Sequence, residues 1–298
     1  MTIDMRNRRT RILIWVILLV GNLIVLPPLL GPKKIVAWWI LMFVVLVVIP
    51  VAVMAFRLAK FMIFPRLSRR ALLRADYDRA LLWMDRMKSP ALLELQGLIL
   101  AMAGRPQEAE QIFGRLAGEA GDDKQRARRL TCLAEVLMDQ GRWEQANAAL
   151  EVSSRLDVAF GGPFVTMAEW YLLQGIEPQQ ALDLVEQANT AHELAALKPS
   201  VRNGILASRL ATKALALARL GRHREAEVAI ETAFRTADTG HVPGMALLHW
   251  NATMAFAAMG EPSKAREHSQ SASAIDPHGK YGKLAARWLE VDRHSSTA

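Results

Sequence analysis

Two stretches near the start of the chain are apolar without interruption, and most of the remaining chain carries apolar residues at helical spacing. Residues 12–32 contain no charged side chain, and residues 35–56 add 22 positions with no charge and no hydrogen-bonding group except the indoles of Trp38 and Trp39. As a helix rising roughly 1.5 Å per residue, the second stretch reaches about 33 Å, enough for a hydrocarbon core of about 30 Å. The unbroken part of the first, residues 12–26, reaches roughly 22 Å and spans only if residues 27–30 still lie at membrane depth. Gly31, Pro32, Lys33 and Lys34 alone separate the two stretches, so the pattern predicts a transmembrane helical hairpin over 12–56 with its loop at 31–34. No A-x-A-like cleavage site follows the first stretch, which argues for a retained anchor and not a leader. A lone Asn in a span is more often tolerated than functional, but Asn22 beside Gly21 offers a hydrogen bond across the hairpin or to another subunit, and Pro50 should kink the second helix.

Charge orients this hairpin. Residues 1–11 carry Arg6, Arg8, Arg9 and Arg11, and residues 57–74 carry Arg57, Lys60, Arg66, Arg69, Arg70 and Arg74, against two lysines at the tip. The positive-inside bias then puts both termini on the cytoplasmic side. In residues 57–74 these basic positions alternate with Leu58, Phe61, Met62, Phe64, Leu67 and Leu72, as in an amphipathic juxtamembrane segment at an anionic lipid surface. Residues 1–74 hold 12 Lys or Arg and one acid, so the overall charge of +8 conceals a remainder that is slightly acidic. That distribution excludes a global nucleic-acid role.

After Arg74 the chain is Ala-rich, with no strand-like alternation, and a glycine recurs behind each apolar helical stretch. Glycines 104, 141, 175, 221 and 260 are spaced by 37, 34, 46 and 39 residues, each reading as a helix stop. Ala109, Ala146, Ala226 and Ala265 stand five residues after their glycines and Ala181 stands six after Gly175, where a small side chain would let a second helix pack closely on the first. The 46-residue spacing predicts a longer helix or an insertion around residues 189–208.

Gly97, Leu100, Gly104, Ala109 and Phe113, followed by Leu130, Leu133, Ala134, Leu137, Gly141, Ala146 and Leu150, resemble the tetratricopeptide repeat family, whose pattern is W-x2-L-G-x2-Y, A-x3-F, then P. Three further units follow around Tyr171, Leu217 and Phe256, the last ending in Asp276 and Pro277, and a half repeat stands around Ala80 and Met84. The resemblance covers about residues 75–290 and implies a TPR-like α-solenoid there, so with the transmembrane hairpin before it and an expected disordered tail at 291–298 the chain reads as all-α. Such helix pairs cannot bury their apolar faces singly and stack into a continuous core. The order of parts is also similar to bacterial inner-membrane repeat proteins that assist haem biosynthesis or envelope assembly, which implies an integral protein of that membrane.

In the family, the first helix of each pair lines a concave wall. Carried onto this chain, the wall includes Leu98, Met102, Glu135, Met138, Asp139, Glu169, Leu173, Arg219, Trp250 and Met254. An apolar groove edged by Glu135, Asp139 and Glu169 suits an extended peptide or amphipathic helix bearing basic residues, with Trp250 as anchor. The Asn positions that clamp a carboxylate in chaperone-tail-binding members hold Leu98, Glu135, Glu169, Leu215 and Met254 here, which argues against that ligand.

No catalytic pattern is found. His192 and Glu193 open an H-E-x-x-H sequence, but position 196 is Ala196, so the second zinc ligand is missing. His223, His241, His249 and His268 read as surface imidazoles, and Cys132, the only cysteine, reads as an inert thiol on an apolar helical face. The expectation is a membrane-anchored, non-enzymatic adaptor without cofactor or metal. Its partners would be proteins and membrane lipids, not nucleic acid. The alternative is an assembly subunit of an integral membrane complex held through the hairpin.

Overall fold

The computed structural model describes residue 40 and residues 43–87, 92–190, 194, 195 and 197–295. Contacts between Cα atoms divide the chain into two compact units, Met1–Ile63 and Phe64–Ala298. No strand occurs among the described residues.

In the first unit a π-helical turn, Val44–Val48, leads into helix α1, Ile49–Leu73, whose residues from Phe64 on belong to the second. The π-turn stands where Pro50 removes the amide that would bond back to the carbonyl four residues earlier, so the local defect is a widened turn. No helix among the described residues is long and apolar enough to cross a membrane. This overturns the expected integral membrane location. Helix α1 carries Arg57, Lys60, Arg66, Arg69 and Arg70 within its own length. The expected lipid contacts of those residues and of Arg74, and the cytoplasmic placement of the termini, lose their premise with it. The first expected span, Gly21, Asn22, the tip at 31–34, Trp38 and Trp39 lie outside the described residues, as do His192, Glu193 and Ala196.

The second unit is a series of stacked helix pairs. After α2 (Tyr77–Met87) come the pairs α3 (Leu93–Met102) with α4 (Pro106–Gly118) and α5 (Asp123–Asp139) with α6 (Trp143–Leu156). Then α7 (Gly162–Gln174) pairs with α8 (Pro178–Thr190), α9 (Pro199–Arg219) with α10 (His223–Thr236), and α11 (Val242–Ala258) with α12 (Pro262–Ile275). Helix α13 (Lys280–Ser295) ends the series. The 46-residue spacing is taken up by α9, at 21 residues the longest helix of these pairs, and by the segment preceding it.

The expected helix stops are built alike. Gly104, Gly141, Gly175, Gly221 and Gly260 all adopt φ between 72° and 77°. At Gly141 the amide donates to the Met138 carbonyl and the Arg142 amide to the Leu137 carbonyl, both at 2.9 Å. That pairing satisfies the last carbonyls of α5 and requires a left-handed residue between the helices, where a Cβ would be strained. The alanines behind the turns, Ala109, Ala146, Ala181, Ala226 and Ala265, are each 0% exposed, because the second helix crosses the first at that point. Phe113 and Leu150, one turn further on, fill the space between successive pairs and are also fully buried.

Candidate functional site

The first helices of successive pairs are joined by a repeated polar contact. The Thr166 hydroxyl of α7 donates to Glu135 of α5 at 3.3 Å, and the Thr212 hydroxyl of α9 donates to Glu169 of α7 at 3.0 Å. Each glutamate stands six residues before its turn glycine and each threonine nine before its own, so one rung recurs in one register. The rungs bring Glu135, Asp139 and Glu169 together on the wall formed by the first helices.

A cation from far along the chain completes this group. Lys280, the first residue of α13, places its Nζ 2.5 Å from Asp139 Oδ1, and the two side chains are only 22% and 19% exposed. Tyr281 is half-buried beside it. Glu135 keeps a water-accessible edge, yet the surrounding wall strips enough hydration to push its carboxyl up to about 7, with repulsion from Glu169 adding to the shift and Lys280 opposing it. Loss of hydration raises Glu169 and Asp139 as well, and Lys280 pulls both back. Burial disfavours the Lys280 ammonium, but Tyr281, Asp139 and Glu135 outweigh that and hold it above the ordinary lysine value. The wall thus presents three carboxylates to one ammonium.

The remaining groove residues fall into different surroundings. Leu98 and Met102 of α3 are half-buried against two neighbouring core clusters. Met138 is 6% exposed and belongs to the core with Ala134, Leu137, Ala146 and Leu150, so it is not available to a ligand. Leu173 is 46% exposed. Arg219 ends α9 with its guanidinium against the Gly175 turn, and burial lowers its pKa. Trp250 is half-buried, and Met254 packs half-buried against the main core. Arg66, Arg69, Arg70 and Arg74 are exposed, and Arg57 and Lys60 lie on α1.

Lys280 and Tyr281, which periodicity does not single out, complete the wall, and apart from it Tyr77 meets Asp276, the residue expected to end the last repeat. The Tyr77 hydroxyl donates to Asp276 Oδ2 at 2.5 Å, across 199 residues. Asp276 is 1% exposed and also accepts from the Gly279 amide at 2.9 Å. Burial raises both the Tyr77 phenol and the Asp276 carboxyl. The Thr and Glu registers relative to the turn glycines were legible in the sequence; the identity of their cationic partner was not.

Two imidazoles depart from the surface reading. His249 of α11 and His268 of α12 meet at 2.9 Å between their Nδ1 atoms, stacked among Phe234 and Phe256. One Nδ1 donates and the other accepts, so the contact cannot hold with a proton on both Nδ1 atoms. Burial, then mutual repulsion, pushes His249 down to about 4, and burial lowers His268. Cys132 is half-buried against the Leu100, Phe113 and Val136 cluster, and loss of hydration raises its thiol well above the ordinary value. Among the described residues no group of three or more His, Cys, Asp or Glu is placed to hold a metal ion.

No protein-family model matches the chain, and no curated protein matches it. Among solved structures it is similar to the crystal structure of MamA, at 17% identity over 58% of this chain and 90% of that one, with a TM-score of 0.36.

Proposed function

We propose that the chain is a non-enzymatic scaffold that holds a protein partner on the wall formed by its first helices, with the Glu135, Asp139 and Glu169 group taking a basic side chain. The observation that carries this reading is Lys280: a lysine from a distant helix is already seated on Asp139 beside the two glutamates, so the wall has the chemistry to accept an ammonium. Leu98, Met102, Leu173, Trp250 and Met254 would supply apolar contact along the partner, and Arg219 a position for an acidic group.

The test is a fluorescence titration of the full chain with amphipathic peptides in which lysine positions are scanned. Glu135→Gln with Glu169→Gln is expected to weaken the best lysine peptide about ten-fold or more. Trp250→Ala with Met254→Ala is expected to weaken it without unfolding the chain. Affinity unchanged in both double variants would reject the wall as the partner site.

A further inference from the structure

We propose that Lys280 is a built-in occupant of the acidic wall, so that a lysine-bearing partner segment reaches Asp139 only by displacing the start of α13 and opening the seam between the first and last helices of the repeat unit. The inference rests on the partner reading above and specifies how access to that wall is controlled.

In an ordinary solenoid each repeat touches only its neighbours. Here the last helix returns to the beginning. Lys280 pairs with Asp139, the Lys283 ammonium donates to the Ala103 carbonyl at 3.0 Å across 180 residues, and Tyr77 bonds Asp276 just before α13 begins. The first turn of α13 lies over the Gly104 turn, where a Cβ would stand 3.6 Å from Lys283 Nζ and 3.8 Å from Lys280 Cα. All these contacts are polar or backbone contacts. Among the described residues, the apolar clusters on the two sides stay separate: Tyr77, Ala80, Met84, Ile99 and Ala103 form one, while Trp288 of α13 packs on the cluster centred on α9 and α11.

A seam closed by polar groups and not by a shared core leaves the helix pairs on either side their own packing when it opens, at the cost of uncovering the buried Tyr77 and Asp276. The charge balance favours an exchange. Lys280 neutralises Asp139, while Glu135 and Glu169 accept hydrogen bonds from Thr166 and Thr212, and the same Lys280 ammonium is the cation that acts on all three carboxylates. A partner segment with a lysine and a following aromatic reproduces what Lys280 and Tyr281 supply, and an additional basic residue would meet the remaining negative charge. The occupant is therefore a basic segment with a lysine followed by an aromatic residue.

The test reads energy transfer across the seam in the full chain, with dyes at Leu82→Cys and Glu290→Cys in a Cys132→Ser background. Lys280→Ala is expected to lower transfer relative to the wild-type seam. A free peptide of residues 277–290 is expected to bind this variant at least ten-fold more tightly than the wild type, and at saturation to lower transfer in the wild type. Unchanged transfer in Lys280→Ala, or equal peptide affinity for the two proteins while transfer stays high, overturns the clasp. Transfer that falls in the variant while the peptide binds neither protein supports the clasp and removes the partner reading. Should Lys280→Ala fail to fold, Tyr77→Phe removes the bond to Asp276 and loosens the same seam without touching Glu135, Asp139 or Glu169, and transfer must fall there if the clasp is real.

Discussion

At the scale of single residues, two glycines of similar appearance in the sequence have opposite consequences. Gly97 lies in α3, and a Cβ there would come 2.8 Å from Phe113 Cζ and 3.2 Å from Ile112 Cγ2. Gly204 lies in α9 with nothing within 4 Å of the same atom. Gly97→Ala should therefore destabilise the chain by about 1–3 kcal/mol through overpacking. Gly204→Ala should stabilise it by roughly 0.5–1 kcal/mol, because alanine loses less conformational freedom in a helix. Chemical denaturation of both variants checks this, and the same sign for both would refute it. The sequence marks Gly97 as a repeat position, but its Phe113 contact depends on how α3 crosses α4.

At the scale of elements, the meeting of α11 and α12 carries a pH dependence. His249 and His268 titrate near 6.5 in the unfolded chain, while the folded chain holds both lower, His249 at about 4. Between about 4 and 6.5 the unfolded state binds more protons than the folded state, so the stability the pair contributes is intact above about 6.5 and is lost as pH falls through that window. Replacing both, His249→Leu with His268→Leu, should flatten the fall in Tm between pH 7 and pH 5 compared with the wild type. A parallel fall would show that the pair is not the titrating element. The surface reading missed this contact because an imidazole on one helix gives no sign of which side chain the next helix will set against it. The helix-pair turns were legible for the opposite reason: glycine followed by alanine five or six residues later is a local pattern, and the left-handed turn it specifies needs no distant partner.

At the scale of the whole repeat unit, the acidic wall opposes the histidine pair. Glu135 titrates near 4.5 when unfolded and about 7 when folded, so the folded chain binds more protons between those values. Stability from this group is present below about 4.5 and is lost as pH rises through about 7. Glu135→Gln should then raise Tm relative to the wild type more at pH 8 than at pH 5; an equal offset at both would reject the shifted carboxyl. The wall's carboxylates were legible as candidates, since Glu135 and Glu169 share a register before their turn glycines, whereas Met138, expected on the same wall, lies in the core.

The sequence by itself determined that residues after Arg74 form stacked helix pairs, where each pair stops, and which alanine each crossing requires, because these depend on contacts a few residues apart. Only the tertiary structure decided that Lys280 faces Asp139 and that Tyr77 meets Asp276. The closure of the repeat unit arises from the small rotation between neighbouring pairs summed over the whole series. No local pattern encodes that sum, so the partner of a distant lysine is fixed only when every crossing angle is in place.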